Sequence, residues 1–392
     1  MAIEKDMRAD YPMEELGTPA YVQEEALLRK NLELISGVAK RAGVEVILAF
    51  KAYALWRCFP IFREYISCST ASSPWEAQLG KEEMGSRTHT YAPVYKESDF
   101  DTILRCSSHI TFNTPAQFER FYPLVSAYEE YPISCGIRIN PEYSEIETEI
   151  YNPASPGSRL GTIAEALPQE LPEGVEGLHF HTLCENNSYT LERTLEVVAE
   201  RFDLWLKQVK WLNMGGGHLM THKDYDTDHL VEVLRAFKAR YPHLHLILEP
   251  GSAFAWQTGY LATEVLDIVD NGGVKTVMID ASFTCHMPDT LEMPYQPKIR
   301  GVEMSEDEEH RLPYKVGGNS CLSGDFINEW YYFKEAPQVG DLLIFEDMVH
   351  YTTVKTNMFN GITHPSILLH RCDGTWERLR DYTYEDYKSR MD

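Results

Sequence analysis

The chain predicts a two-part protein: a (β/α)8 barrel over residues 24–255, and a mainly antiparallel β domain built from 1–23 and 256–392. Three observations carry this expectation. Eight short apolar, often β-branched runs recur between residues 46 and 251. Amphipathic segments lie between them, and this rhythm stops near residue 255. Strand alternating with helix builds parallel βα units, because a parallel neighbour is reached only through a crossover long enough to hold a helix. Eight such units favour a closed barrel over an open doubly wound sheet.

In chain order, "TPAYV" (18–22) reads as a short strand, assigned to the second domain, and a helix follows over about 24–42. The barrel strands are then "VILAFK" (46–51), "ISCSTAS" (66–72), "HTYAPV" (89–94) and "HITFNT" (109–114). "SCGIRIN" (134–140), "GLHFHT" (177–182), "WLNMGGG" (211–217) and "LILEPG" (246–251) complete the set. "PWEAQLGKEEM", "TPAQFERFYPLVSAY" and "HLVEVLRAFKARY" supply helices between them. The turn-rich stretch at 141–161, after the fifth strand, is a candidate active-site loop. Beyond 255, strand-like pieces such as "TVMIDAS" and "DLLIFEDM" are separated by turns and an acidic insert, "SEDEEH", without barrel-length helices.

A chain of 392 residues with 43% hydrophobic and 12% aromatic content suits a packed protein of two domains. Its formal charge of −24 argues against nonspecific binding to nucleic acid or anionic membrane. The start, "MAIEKDMRADYPMEE", lacks the apolar core of a signal peptide, and no stretch is apolar enough for a membrane-spanning helix. The eight cysteines are scattered without a C-x-x-C pair, which reads as reduced thiols in the cytoplasm and not as structural zinc.

Barrel chemistry sits where strands run into βα loops. There the chain places Lys51, the pair His179 and His181, Gly215-Gly216-Gly217, and Glu249-Pro250-Gly251. Lys51 reads either as a strand-end lysine returning to water or as an amine held for covalent chemistry. Three glycines read as a flexible turn or as a backbone cradle for phosphate, and a position after the seventh strand favours the cradle. His179 and His181 share one side of their strand and could hold a metal, but no further ligand set accompanies them. His179 alone reads as a satisfied buried histidine. Amine, phosphate cradle, flat imidazole and carboxylate together fit pyridoxal 5′-phosphate, which needs a partner for its aldehyde, phosphate, ring face and ring nitrogen.

With these residues assembled, the chain resembles the fold-type III, alanine racemase-like pyridoxal-phosphate decarboxylases, the ornithine and diaminopimelate decarboxylase group. The resemblance runs from "TPAYV" to "FNG". "AFKAYA" is similar to the group's lysine strand, which implies that Lys51 bonds the cofactor. "HFHT" implies that His181 stacks on the ring, "NMGGG" places Gly215, Gly216 and Gly217 at the phosphate, and "LEPG" places Glu249 and Gly251 at the cofactor. "GNSCLSGD" resembles the cysteine loop, so Cys321, as proton donor to Cα, and Asp325 would enter the neighbouring subunit's site in a homodimer. "FEDMVHYTTVKTNMFNG" resembles the segment whose tyrosine, here Tyr351, reaches phosphate. "TCHMPDTLEMPYQP", "SRLG" and "CLSGD" resemble the branch acting on carboxylated polyamines, carboxynorspermidine and carboxyspermidine. That likeness puts Asp289, Asp325 and His286 at a small-molecule polyamine carboxylate substrate.

Two departures accompany the resemblance. Relatives continue "EPG" with arginine where this chain has Ser252, which disfavours the dicarboxylate diaminopimelate, the alternative substrate. Ser69 stands where relatives often carry aspartate near the lysine. A non-catalytic pyridoxal-phosphate or regulatory protein of the same fold is the rival from another class, and retention of Lys51, Glu249 and Cys321 together speaks against it. A metal hydrolase trails both.

Overall fold

The structure, a computed structural model, describes residues 10–146 and 152–392. Of the candidate loop at 141–161, residues 147–151 therefore lie outside the described residues. Strand β1 (Ala20–Glu24) leads into the helix Glu25–Ala42. Within that helix the chain divides into two compact units: 31–254, and the residues up to 30 together with 255–392.

The first unit is a parallel barrel. Its strands are β2 (Glu45–Val46), β3 (Leu48–Ala49), β4 (Ser69–Ala71), β5 (Thr88–Tyr91), β6 (Ser107–Phe112), β7 (Ser134–Arg138), β8 (Val175–His179), β9 (Trp211–Asn213) and β10 (His245–Leu248). They follow one another in the order β2-β10-β9-β8-β7-β6-β5-β4-β3, all neighbours parallel. The eight expected strands become nine because the first one splits. β2 pairs with β10 and β3 with β4. Between them Ile47 N–H donates to Leu248 O at 2.9 Å and Leu48 N–H to Cys68 O at 3.3 Å. One short run thus joins both edges of the sheet and nearly closes the ring.

Apolar runs form these strands because both faces are covered: Leu48, Ile110, Ile137, Leu178, Leu212 and Ile247 are fully buried. Mid-strand glycines on β7 and β8 serve the Trp211 indole. A Cβ at Gly136 or Gly177 would stand 2.3 Å or 1.9 Å from that ring, so only glycine leaves it room. Outer helices start on side-chain caps that accept orphan backbone donors: Ser73 from Glu76 N–H, Thr114 from Gln117 N–H, Asn187 from Thr190 N–H and Asp226 from His229 N–H. Pro74 and Pro115 occupy the first helical turn, where a missing N–H costs nothing.

The second unit is a mainly antiparallel sheet. It comprises β1 with β11 (Gly259–Asn271), β12 (Val274–Ile279), β13 (Leu312–Gly317), β14 (Phe326–Phe333), β15 (Leu342–Glu346), β16 (Ser366–His370) and β17 (Trp376–Arg380). The order is β14-β13-β12-β11-β1-β16-β17, with β15 pairing β11. β1 lies antiparallel to β11 and parallel to β16. Leu261, Val265, Val277, Ile279, Val316 and Phe345 belong to its buried core. Among the described residues beyond 255, the longest helix has five residues, Tyr384–Lys388.

Candidate active site

The barrel strand β3 ends at Ala49, and the turn after it is tied to both neighbours. Phe50 N–H donates to Thr70 O at 3.3 Å and Ala49 N–H to Pro250 O at 3.4 Å. The buried Phe50 ring stacks on Phe59, centroids 5.0 Å apart. Lys51 is thereby held at the strand end beside the "LEPG" segment, exposed at its residue surface yet deep among protein atoms. That depth lowers the pKa of its ammonium below the ordinary lysine value. Glu249 opposes the shift and Arg138 reinforces it.

Lys51 Nζ lies 3.3 Å from His181 Nε2, and the other ring nitrogen of His181, Nδ1, accepts from Gly216 N–H at 2.9 Å. The amide can only donate, so Nδ1 is bare and the ring proton of a neutral His181 sits on Nε2. That proton points at Lys51, whose nitrogen must accept it. The contact therefore selects a neutral amine, the nucleophilic form. Burial, with the Arg138 charge adding to it, holds the His181 pKa well below its usual value, in keeping with a neutral ring.

The triglycine is a close approach of backbones and not a slack turn. Gly215 and Gly217 have φ of +68° and +88°, and a Cβ at Gly217 would meet Leu183 O at 2.2 Å. Its donors are less open than three adjacent glycines suggest. Gly215 N–H donates to Asn213 Oδ1 at 2.9 Å and Gly216 N–H to His181 Nδ1, so of the three only Gly217 N–H has no recorded partner among the described residues. Glu249 N–H donates to Gly215 O at 2.8 Å, which binds the two loops together. Burial raises the Glu249 pKa, but His179 and Asn213 reverse this and hold it at about 2. Asn213 Nδ2 donates to Glu249 Oε1 at 2.6 Å. The carboxylate is ionised.

Three residues missed in the sequence reading shape this site. Asn213 orients both Glu249 and Gly215; its place at the head of "NMGGG" was the available signal. Arg138, a charge inside an apolar strand, is buried over the Tyr91 ring at 4.7 Å and donates to His181 O at 3.1 Å. Glu76 is a further acidic group whose charge reaches Lys51, where Ser69 carries none. Its charge acts on the lysine, and its Oε2 accepts from Ser72 N–H at 2.6 Å. In the sequence Glu76 shows only as the third residue of a helix. Gly251 is buried and accepts from Phe254 N–H, so it starts the turn after Pro250, with Ser252 behind it. Among the described residues, no group of three or more His, Cys, Asp or Glu is arranged to hold a metal ion.

The sheet unit holds the other candidates. Cys321 is exposed, and its N–H donates to Asn360 Oδ1 at 2.8 Å, which pins the cysteine loop to the "FNG" turn. Asp325 is buried, and its two oxygens accept from Thr284 N–H and Ser320 N–H, both at 3.0 Å. Asp325 thus shapes this loop, and each of its oxygens keeps a lone pair beyond these bonds. His286 is fully buried. Its Nδ1 accepts from Ser282 N–H at 3.1 Å, Nε2 has no hydrogen-bond partner, and burial lowers its pKa to about 3. Asp289 is not a bare acid either: Lys355 Nζ bonds both its Oδ1 and Glu292 Oε2. Tyr351 is half-buried with φ of +52°.

A neutral amine beside an imidazole, an ionised carboxylate and a backbone loop with a remaining donor match the four needs of pyridoxal phosphate. Fold and donor set define a barrel enzyme of pyridoxal chemistry. The family described as pyridoxal-dependent decarboxylase, C-terminal sheet domain, matches residues 21–349, and the chain belongs to that family. It is 46% identical to the carboxyaminopropylagmatine decarboxylase of a Synechocystis strain, over 96% of each chain. It is 39% identical to the carboxynorspermidine/carboxyspermidine decarboxylase of Campylobacter jejuni, over 96% of this chain and 99% of that one. The structure of C. jejuni carboxynorspermidine decarboxylase complexed with norspermidine superposes with a TM-score of 0.88 at 37% identity, covering 95% of this chain and 99% of the other. The protein is a decarboxylase with pyridoxal phosphate as its cofactor.

Proposed function

We propose that the protein decarboxylates carboxynorspermidine, carboxyspermidine or both, yielding norspermidine or spermidine. The observation that carries the chemistry is the Lys51 amine 3.3 Å from His181 Nε2, in the same barrel as the ionised Glu249. When bound, pyridoxal phosphate supplies a ring that takes up the electron pair released as the Cα–carboxylate bond breaks. Lys51 would hold the aldehyde end of the cofactor through its side-chain nitrogen until a substrate amine takes that place. His181 would offer its face to the ring, Glu249 would keep a proton on the ring nitrogen, and Gly217 N–H would donate to phosphate, with Tyr351 assigned the same ligand. Cys321 would hold the proton that Cα takes up once the carboxylate has left. The cofactor residues Lys51, His181, Gly217 and Glu249 belong to the barrel unit; Cys321 and Asp289 belong to the sheet unit.

The relatives named above support the substrate class. The Synechocystis relative favours a second reading, carboxyaminopropylagmatine, which ends in a guanidinium in place of an ammonium. Diaminopimelate fits less well, since its second carboxylate wants a cation and Ser252 offers none. Asp289 and Glu292, sharing Lys355, carry one net negative charge for a distal cation. Assay of carbon dioxide release over these substrates and ornithine tests the proposal. A polyamine carboxylate should give the highest kcat/KM, and preference for diaminopimelate or ornithine would refute it. Asp289→Asn should raise KM for the preferred polyamine carboxylate roughly 10-fold, the scale of one charge-assisted hydrogen bond, and leave ornithine unaffected. Equal effects on both would remove Asp289 from the amine pocket.

We further propose a cytoplasmic homodimer in which Cys321 of one chain serves the barrel of its partner. Eight free cysteines fit a reducing compartment, and among the described residues no helix is long and apolar enough to cross a membrane. Lys51→Ala and Cys321→Ala homodimers should each be nearly inactive. Subunit exchange between them should restore about a quarter of wild-type activity, because half the dimers are mixed and each has one intact site of two. Confirmed exchange without recovery would place the site within one chain.

A further inference from the structure

The histidine that the sequence presents as a satisfied core residue is not satisfied. His179, at the end of β8, is 2% exposed, and neither ring nitrogen has a hydrogen-bond partner. A buried imidazole without partners is costly, and its orientation calls for a reason. Nε2 stands 3.6 Å from Glu249 Oε2, just beyond hydrogen-bond range, while Glu249 Oε1 is already held by Asn213 at 2.6 Å. The Tyr91 ring packs against the imidazole at 5.2 Å, and Arg138 lies over that same tyrosine.

We propose that His179 is a positioning residue for the Glu249 carboxylate: its Nε2–H donates to Oε2 and, with Asn213 on Oε1, fixes the plane that meets the cofactor ring nitrogen. This rests on the reading of Glu249 given above. A carboxylate held at one oxygen still rotates about its terminal bond. A donor on each oxygen stops that rotation and leaves a lone pair of Oε2 free to accept from the ring. A neutral donor suits the task better than a cation, since an imidazolium would compete with the ring for the same charge. The surroundings keep His179 neutral: burial lowers its pKa first, Glu249 raises it, and the Arg138 charge lowers it further.

The test uses the holoenzyme and its apoprotein, with His179→Leu, His179→Gln and Glu249→Gln. Glutamine carries an N–H to about the same place as Nε2, whereas leucine fills the volume without a donor. His179→Leu should lower kcat roughly 10- to 150-fold and raise the apoprotein's dissociation constant for pyridoxal phosphate, read by tryptophan fluorescence, about 10-fold, with substrate KM unchanged. His179→Gln should recover both. In the Glu249→Gln background, His179→Leu should cost little more, because the two residues act as one unit. Independent, multiplying effects overturn the proposal. So do equal losses in the leucine and glutamine variants accompanied by a fall in Tm, since these mark a packing role. If His179→Leu does not fold, His179→Phe replaces it, and failure of both to fold also overturns the proposal. Glu249→Gln without effect on rate or cofactor affinity would instead defeat the reading of Glu249 itself.

Discussion

Lys51→Ala loses turnover by on the order of 10³-fold or more, together with the visible absorbance of lysine-bound cofactor. The fold should survive, since the Lys51 side chain is exposed at the strand end while Phe50 beside it does the packing. What disappears is the amine that the His181 Nε2–H keeps as an acceptor at 3.3 Å. Steady-state assay and absorbance spectra of the reconstituted variant check this. Near-normal rate with retained cofactor colour would end the assignment of Lys51.

Glu249→Gln should leave folding intact and lower kcat by about 10²–10³-fold, the loss typical of removing one preorganised electrostatic partner. The amide is nearly isosteric and its oxygen can still accept from Asn213 Nδ2. It cannot hold a proton on the ring nitrogen, because it carries no charge. The native carboxyl, held at about 2, is ionised over the whole working range, so this loss should persist at every pH from mildly acid to alkaline. Rate and spectrum measured across pH decide the matter. Tight cofactor binding at an unchanged rate would give the carboxylate another role.

The barrel was legible because its strands are buried on both faces and so read as continuous apolar runs. Lys51, His181 and Glu249 stand where those runs stop. The split of the first strand into β2 and β3 was not legible, since a change of partner at Ile47 leaves no mark in residue type. The triglycine was visible as a motif, yet its hydrogen bonding was not: Asn213 and His181 occupy two of its donors through tertiary contact. Asp289 and Lys355 lie far apart in sequence, so their ion pair could not be read from local spacing. Arg138 and Glu76 were concealed differently. Each looks like an ordinary element of local structure, a strand residue and a helix-start glutamate, until the fold brings its charge to Lys51.

The most direct measurement is borohydride reduction of the holoenzyme followed by proteolysis and mass mapping. Reduction fixes the cofactor as a secondary amine on whichever nitrogen holds it. The pyridoxyl group should be found on the peptide containing Lys51, at close to one per chain, and prior addition of a polyamine carboxylate should diminish it by moving the cofactor to the substrate amine. A label on another lysine, or none in a fully active enzyme, would contradict the account.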